Sequence, residues 1–282
     1  MNLPSSPYAR ADLAQALEHV GLRAGDTVFV HASLDTLGPA AACATPDERA
    51  GLVLGALQDV LGPGGTIVAP TYTFSFCRQE VFDIGETPTP GGPWSASADF
   101  LEYFRRQPGV LRSRDPIHSV AALGPNAGAL VKDVPPTCFG DGSVHDRLLQ
   151  VGGKICLLGV GLGEATFRHF VEERVGVPFR FQKLFTGQIR DNGSVRKQGW
   201  AYYVRVLADN CAPDPSCLEE VARREGVCRA APVGRGEVLA VDAPAYYALT
   251  VRELERDPWY TARGPAGDPV ALDAARLGGA PS

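Results

Sequence analysis

Apolar positions along the chain switch between two periods. From Arg10 to Val20, residues Leu13, Ala16, Leu17 and Val20 keep the three-four spacing of one helix face, and Gly21 supplies a stop. Thr27 to Val30 is a compact apolar run of buried-strand length. Pro46 to Leu61 returns to helical spacing, with Asp47 and Glu48 in the first turn where they favour the helix dipole. Gly62-Pro-Gly-Gly65 breaks the chain before a second strand run, Thr66 to Pro70. Tyr72 to Ser97 has no clean period and reads as a long loop, which in a compact domain is usually a binding or lid segment. Ser97 to Arg106 predicts a short helix with Phe100, Leu101 and Phe104 inward. Arg112 to Gly124 passes from loop to strand, and Asp141 to Gln150 predicts another short helix.

The run Ile155 to Val160 reads as a central buried strand, bounded by glycines. Thr166, His169 and Glu172 follow at three-residue steps, which puts them on one face if that segment is helical. Beyond Phe179, the segments Phe185 to Arg190 and Trp200 to Leu207 flank Asn192-Gly193, a signature of antiparallel strands joined by a tight turn. Cys217 to Gly226 and Ala243 to Asp257 predict helices, and the last twenty residues read as a poorly ordered tail. The alternation of helix and strand predicts an α/β fold: a mixed central β-sheet flanked by helices, with an elaborated α+β C-terminal part. Residues 1–270 are expected to form a single domain and 271–282 a flexible tail.

Composition narrows the partners. The 282 residues are 45% hydrophobic and 21% charged with a formal charge of −5, which speaks against nucleic acid, because phosphate binding needs a clustered basic surface. No apolar run reaches membrane-spanning length and no basic stretch precedes an apolar leader, so the expectation is a cytoplasmic protein without membrane contact. The seven cysteines are irregularly spaced and form no Cys-x-x-Cys pair, so they are expected to be reduced. His31, His118, His145 and His169 show no metal-ligand spacing, and no metal is expected.

Several strand ends carry polar groups rather than simple turns. His31, Ser33, Asp35 and Thr36 follow the first strand, and Thr71, Tyr72 and Thr73 follow the second. Backbone amides and hydroxyls from Ser33 to Gly38 could cradle a phosphate, and Arg112 could hold one bidentately; local capping by Ser and Thr is the plainer alternative. His169 beside Glu172 past a strand end has the makings of a general base, since imidazole titrates near neutrality, although a His-x-x-Glu pair on a helix is more often a surface ion pair. The phosphate-loop, dinucleotide and nucleophile-elbow motifs are missing from the sequence.

Five segments in register sharpen this reading. They are Gly25-Asp26 with Val28 to Gly38; Leu61 to Thr73, with Phe82 and Thr87-Pro88 after it; Arg112 to Ser119; Ala121 to Gly124; and Leu157 to Gly161 with Thr166 to Glu172. Together they resemble the antibiotic N-acetyltransferases, the aminoglycoside 3-N-acetyltransferases and their relatives. The resemblance implies a single acyltransferase domain that moves an acetyl group from acetyl-CoA, or another acyl-CoA, to an amino group. His169 would be the base, Glu172 its neighbour, and Thr166 would contact the reacting groups or hold the His tautomer. His31, Ser33, Leu34, Asp35, Thr36, Gly38, Thr71, Arg112, Ser113 and Ser119 would form the coenzyme-binding wall. Tyr72, Thr73, Asp115 and His118 would face the acceptor. Asp115 stands where the family often has His before the proline, and His118 follows three residues later. The expected partners are a small-molecule amine and a CoA thioester, with a homodimer as an open alternative. The basic segment Arg174 to Lys183 does not read as a polycation-binding surface, so a non-aminoglycoside acceptor in natural-product or sugar biosynthesis stands beside an aminoglycoside. Two rivals remain: a cysteine-dependent thioesterase or acyltransferase using Cys77 or Cys138, and a non-enzymatic ligand-binding protein.

Overall fold

The computed structural model describes residues 7–90 and 98–265, with the side chains of residues 98 and 99 outside the description. The expected flexible tail lies outside the described residues, as do the end of the long loop and the first residue of the helix expected from Ser97.

The strands are β1 (Thr27–Ala32), β2 (Thr66–Pro70), β3 (Phe82–Asp83), β4 (Leu111–Arg112), β5 (Val120–Leu123), β6 (Lys154–Leu158), β7 (Arg180–Asp191), β8 (Ser194–Arg205), β9 (Cys228–Val233) and β10 (Gly236–Asp242). The helices are α1 (Arg10–His19), α2 (Leu34–Leu37), α3 (Pro46–Leu61), α4 (Ala98–Arg105), α5 (Ala127–Val131), α6 (Val144–Gln150), α7 (Phe167–Val175), α8 (Ser216–Arg224) and α9 (Ala243–Arg256). The main sheet runs β4-β5-β2-β1-β6-β10-β9. Its centre, β2-β1-β6, is parallel, and the strands outside it pair antiparallel to their neighbours. The mixed sheet expected from the sequence is therefore what forms.

Strand alternation explains why the sheet is covered on both sides. Val28, Val30, Ile67, Cys156 and Leu158 belong to one buried cluster, while Phe29, Val68, Ile155 and Leu157 belong to the other. Successive side chains point to opposite faces, so each central strand must be apolar throughout. Helix α3 covers one face through Val53, Leu54, Leu57, Val60 and Leu61. Its start is set by Thr45, whose hydroxyl accepts from the Glu48 amide at 3.2 Å while the Glu48 carboxylate accepts from the Thr45 amide at 3.0 Å. A cap of this kind contributes about 1 kcal/mol.

A second sheet, β3-β7-β8, stands beside the first. Its long hairpin turns at Asn192 and Gly193, both at positive φ (47° and 82°), which is the geometry the Asn-Gly pair favours. β7 extends beyond the expected Phe185 to Arg190 at both ends, and β8 starts before the expected Trp200 but ends at Arg205, short of Leu207. The hairpin β9–β10 was not expected, and it adds two antiparallel strands to the main sheet beside β6. Strand β1 also runs two residues further than expected, because His31 and Ala32 pair with Leu157 and Leu158. Leu34 to Leu37 forms a single helical turn with both leucines buried.

Candidate active site

A cavity of about 710 Å³ opens at the carboxyl ends of the parallel strands, where α/β sheets place ligands. His31 and Ala32 reach it from β1, and Pro70, Tyr72 and Phe74 from the end of β2 and the segment after it. Thr166, Arg168 and His169 enter from the start of α7, and Arg180, Tyr202 and Arg205 from the β7–β8 hairpin. Helix α7 is placed by its apolar face: Phe167, Phe170 and Val171 are buried, which turns His169 toward the opening with its side chain 16% exposed.

Beneath His169 lies a charge cluster. The Glu172 carboxylate is fully buried, with Oε2 at 2.8 Å from His169 Nδ1 and 2.6 Å from Arg180 Nε. Its Oε1 accepts from the Arg168 guanidinium and, at 2.7 Å, from the Thr261 hydroxyl. Burial works to raise the Glu172 pKa, but the charges of Arg168 and Arg180, with the His169 hydrogen bond, hold it below the usual carboxylate range. His169 is pushed down to about 3, first by burial and then by Arg180 and Arg168, against the opposing pull of Glu172. The imidazole is therefore neutral at neutral pH. Arg180 Nη2 also lies 2.8 Å from His169 Nδ1, so an arginine donor and a carboxylate acceptor compete for one ring nitrogen.

The other histidines crowd the same space. His118 lines the cavity between Tyr72, Phe74, Phe139 and Tyr202, with ring centroids 4.5 to 5.1 Å away. Burial, followed by His169, His145 and Arg180, drives its pKa well below the ordinary value. Burial lowers His31 and His145 to about 3, with His145 adding to the effect on His31. Thr166 ties this wall together: its hydroxyl bonds the Tyr72 hydroxyl at 2.5 Å and lies 3.4 Å from His145 Nε2. No cluster of three or more His, Cys, Asp or Glu able to hold a metal ion occurs among the described residues.

Of the residues expected from the sequence, His31, Tyr72, His118, Thr166 and His169 line the cavity and Glu172 supports it from below. The rest of the expected coenzyme wall is not among the residues that line this cavity. Leu34 is in the core, and exposed Asp35 pairs with Arg49 at 2.7 Å. Gly38, at φ 86°, makes a turn against Arg235, and the Ser33 hydroxyl bonds that of Thr36 at 3.0 Å. Arg112, expected to grip a phosphate, donates instead to the Thr71 hydroxyl (3.2 Å) and to the carbonyls of Thr71 (2.8 Å), Ile84 (3.2 Å) and Thr87 (2.6 Å). Those four acceptors would be left partly unsatisfied without it, so its donors are committed to the protein. Ser119 donates to the Thr71 carbonyl, the Ser113 hydroxyl accepts from the Val120 amide, and Thr73 donates to the Pro116 carbonyl. Asp115 accepts the Ile117 and His118 amides, both at 2.8 Å, and so fixes the bend that presents His118. Burial raises Asp115 to about 6 against those hydrogen bonds.

Arg168 and Arg180 are site residues that the sequence reading missed. Arg168 could have been found as the residue four before Glu172, a helix-face ion-pair spacing. Arg180 gave no local signal, because only the fold brings β7 against α7. The cysteine rival loses ground. Burial drives the Cys138 thiol well above its ordinary value and raises Cys77 to about 11, with Asp115 adding to both, whereas a nucleophilic cysteine needs a lowered pKa. No helix among the described residues is long and apolar enough to cross a membrane.

Known proteins resemble this chain in sequence and in fold. Aminoglycoside N(3)-acetyltransferase VII of Streptomyces paromomycinus is 33% identical over 267 residues, covering 87% of this chain and 89% of that relative. The structure of AAC-VIa bound to sisomicin superposes with a TM-score of 0.75 at 26% identity, covering 89% of this chain and 98% of that one. AAC-IIIb in a binary complex with CoASH gives 0.70 at 27% identity, covering 94% and 100%. The sequence model of the aminoglycoside 3-N-acetyltransferase family matches residues 29–255. The chain belongs to that family and is an acyltransferase.

Proposed function

We propose that the protein transfers the acetyl group of acetyl-CoA to an amino group of an aminoglycoside or related amino sugar, with His169 as general base. The observation that carries the reading is the 2.8 Å contact of His169 Nδ1 with buried Glu172 at the cavity wall. The ligands of the neighbouring structures, CoASH and sisomicin, support the two substrates.

Nδ1 can hold only one of its two contacts as a hydrogen bond. With a proton on Nδ1 it donates to Glu172, and Nε2 keeps the lone pair a base requires. With Nδ1 accepting from Arg180, Nε2 would carry the proton and no base would remain. The ionised Glu172 selects the first state. The surplus positive charge of Arg168 and Arg180 over Glu172 also disfavours an ammonium ion, so an amine beside His169 is bound in its neutral, nucleophilic form. His169 Nε2 takes the amine proton as nitrogen attacks the thioester carbonyl. The tetrahedral intermediate expels the CoA thiolate, and the imidazolium returns the proton to sulfur. Glu172 stabilises that transient cation, and Thr166, held by Tyr72, lies at the same wall. No covalent enzyme intermediate is involved, which sets this reading apart from the cysteine route.

The test is release of free thiol from acetyl-CoA across a panel of aminoglycosides and amino sugars. Amine-dependent release supports the proposal, and no release above the amine-free rate with any member refutes it.

A further inference from the structure

The Glu172 carboxylate is met by partners from three places in the chain. Arg168 and His169 belong to its own helix, and Arg180 opens β7 after a short turn. Thr261 lies 89 residues on, in the segment that follows α9. It is fully buried, and its hydroxyl donates to Oε1 at 2.7 Å, because an ionised carboxylate can only accept. Its main chain is held as well. The Thr261 carbonyl accepts from the Asp214 amide at 3.0 Å, and the Arg263 amide donates to the Ala212 carbonyl at 3.0 Å. Pro213 and Pro215, on either side of Asp214, line the cavity. Trp259 packs on Phe179, the residue before Arg180, with ring centroids 5.5 Å apart. One residue therefore joins the cavity rim, through its main chain, to the carboxylate behind His169, through its side chain.

The role of this hydroxyl follows from the other arrangement open to the carboxylate. Arg168 directs one donor to Oε1, and its Nε is buried without a hydrogen-bond partner. The last torsion of a glutamate is soft. A carboxylate free to turn about it would take both donors of that fork, the geometry guanidinium and carboxylate favour. Oε2 would then leave His169. Arg180 Nη2, already 2.8 Å from Nδ1, would hold the ring in the tautomer that carries its proton on Nε2. Thr261 occupies Oε1 beside Arg168 and so opposes that turn. We propose that Thr261 is a positioning residue for the base: its hydroxyl fixes the plane of the Glu172 carboxylate so that Oε2 accepts from His169 Nδ1. The inference rests on the acyl-transfer reading above and extends its machinery to a residue outside α7 and β7.

Thr261→Val removes the hydroxyl and keeps the shape, Thr261→Ala removes it with less bulk, and Thr261→Ser keeps it. Thiol release from acetyl-CoA with a productive amine gives kcat and KM. Nitrogen NMR of isotope-labelled histidine reads the His169 tautomer with no substrate present. Both are measured below each variant's unfolding midpoint. Thr261→Val should lose about tenfold in kcat, the scale of one hydrogen bond to a charged group, with KM unchanged for both substrates. The Nδ1-protonated ring should dominate in the parent and in Thr261→Ser, and give way to the Nε2-protonated ring in Thr261→Val. Thr261→Ser should recover most of kcat. An unmoved kcat or an unmoved tautomer overturns the inference, because a merely structural role lowers only the unfolding midpoint. A kcat loss that serine does not rescue also overturns it. If Thr261→Val does not fold, Thr261→Ala takes its place; if neither folds, the hydroxyl is structural and the inference fails. If no amine releases thiol, the acyl-transfer reading fails by itself, and the tautomer alone decides. A shift of the proton to Nε2 in the hydroxyl-free variant then upholds the positioning role, and an unchanged tautomer refutes it.

Discussion

Glu172→Gln separates what the buried carboxylate does for the fold from what it does for the base. The substitution keeps the size of the side chain and removes a charge that Arg168, Arg180, Thr261 and His169 all contact. Two guanidinium groups, each with a side chain 4% exposed, then lose their counter-charge. Breaking a buried pair from one side costs about 3–5 kcal/mol, a large part of the stability of an ordinary domain. The second effect is on the tautomer. Without an anionic acceptor at Oε2, Arg180 Nη2 wins the contact with His169 Nδ1, and the ring proton moves to Nε2. The base is then lost from the amine side, and kcat should fall by about 10² to 10⁴. Denaturant unfolding measures the first effect. Thiol release per folded molecule, below the new unfolding midpoint, measures the second. A folded Glu172→Gln protein with kcat within a few-fold of the parent would refute the tautomer argument, whatever its stability.

Other consequences can be checked the same way. His31, His145 and His169, at about 3, and His118, well below its ordinary value, stay neutral in the fold, whereas in the unfolded chain they take up protons below pH 6.5. Their contribution is present above pH 6.5 and is lost as pH falls toward 3. Asp115, raised to about 6, opposes one of the four between its ordinary value and pH 6. The net of about three protons predicts a stability loss of about 4 kcal/mol per pH unit in the steepest region, so urea midpoints should drop sharply between pH 6 and 5; a flat profile would contradict it. Arg112→Ala should cost about 3 kcal/mol because it strips donors from Thr71, Ile84 and Thr87. If the residue grips the coenzyme instead, the same variant raises the KM for acetyl-CoA without a loss of stability.

How much of this was legible in the sequence depends on how local each signal is. The central strands could be read because burial on both faces forces continuous apolar runs, as in Ile155 to Leu158. The β7–β8 hairpin could be read because Asn192-Gly193 specifies its turn. Strands β9 and β10 escaped because Pro232, Gly234 and Gly236 punctuate an apolar run that makes sense only beside β6. At the site, His169, Glu172 and Thr166 share one short helix segment, so their spacing carried the information. The four protein acceptors of Arg112 could not be read, because they come from Thr71, Ile84 and Thr87, in a loop whose path the sequence does not disclose. The Arg180–Glu172 contact joins residues eight apart through a turn, and the Thr261–Glu172 contact spans 89 residues. Neither has a sequence period.

The central claim is that His169 is the base, and His169→Ala tests it most directly. With acetyl-CoA and a productive amine, single-turnover thiol release should fall by about 10² to 10⁴, while the calorimetric Kd for CoA stays the same. A His169→Ala protein that binds CoA normally and turns over within a few-fold of the parent would contradict the account.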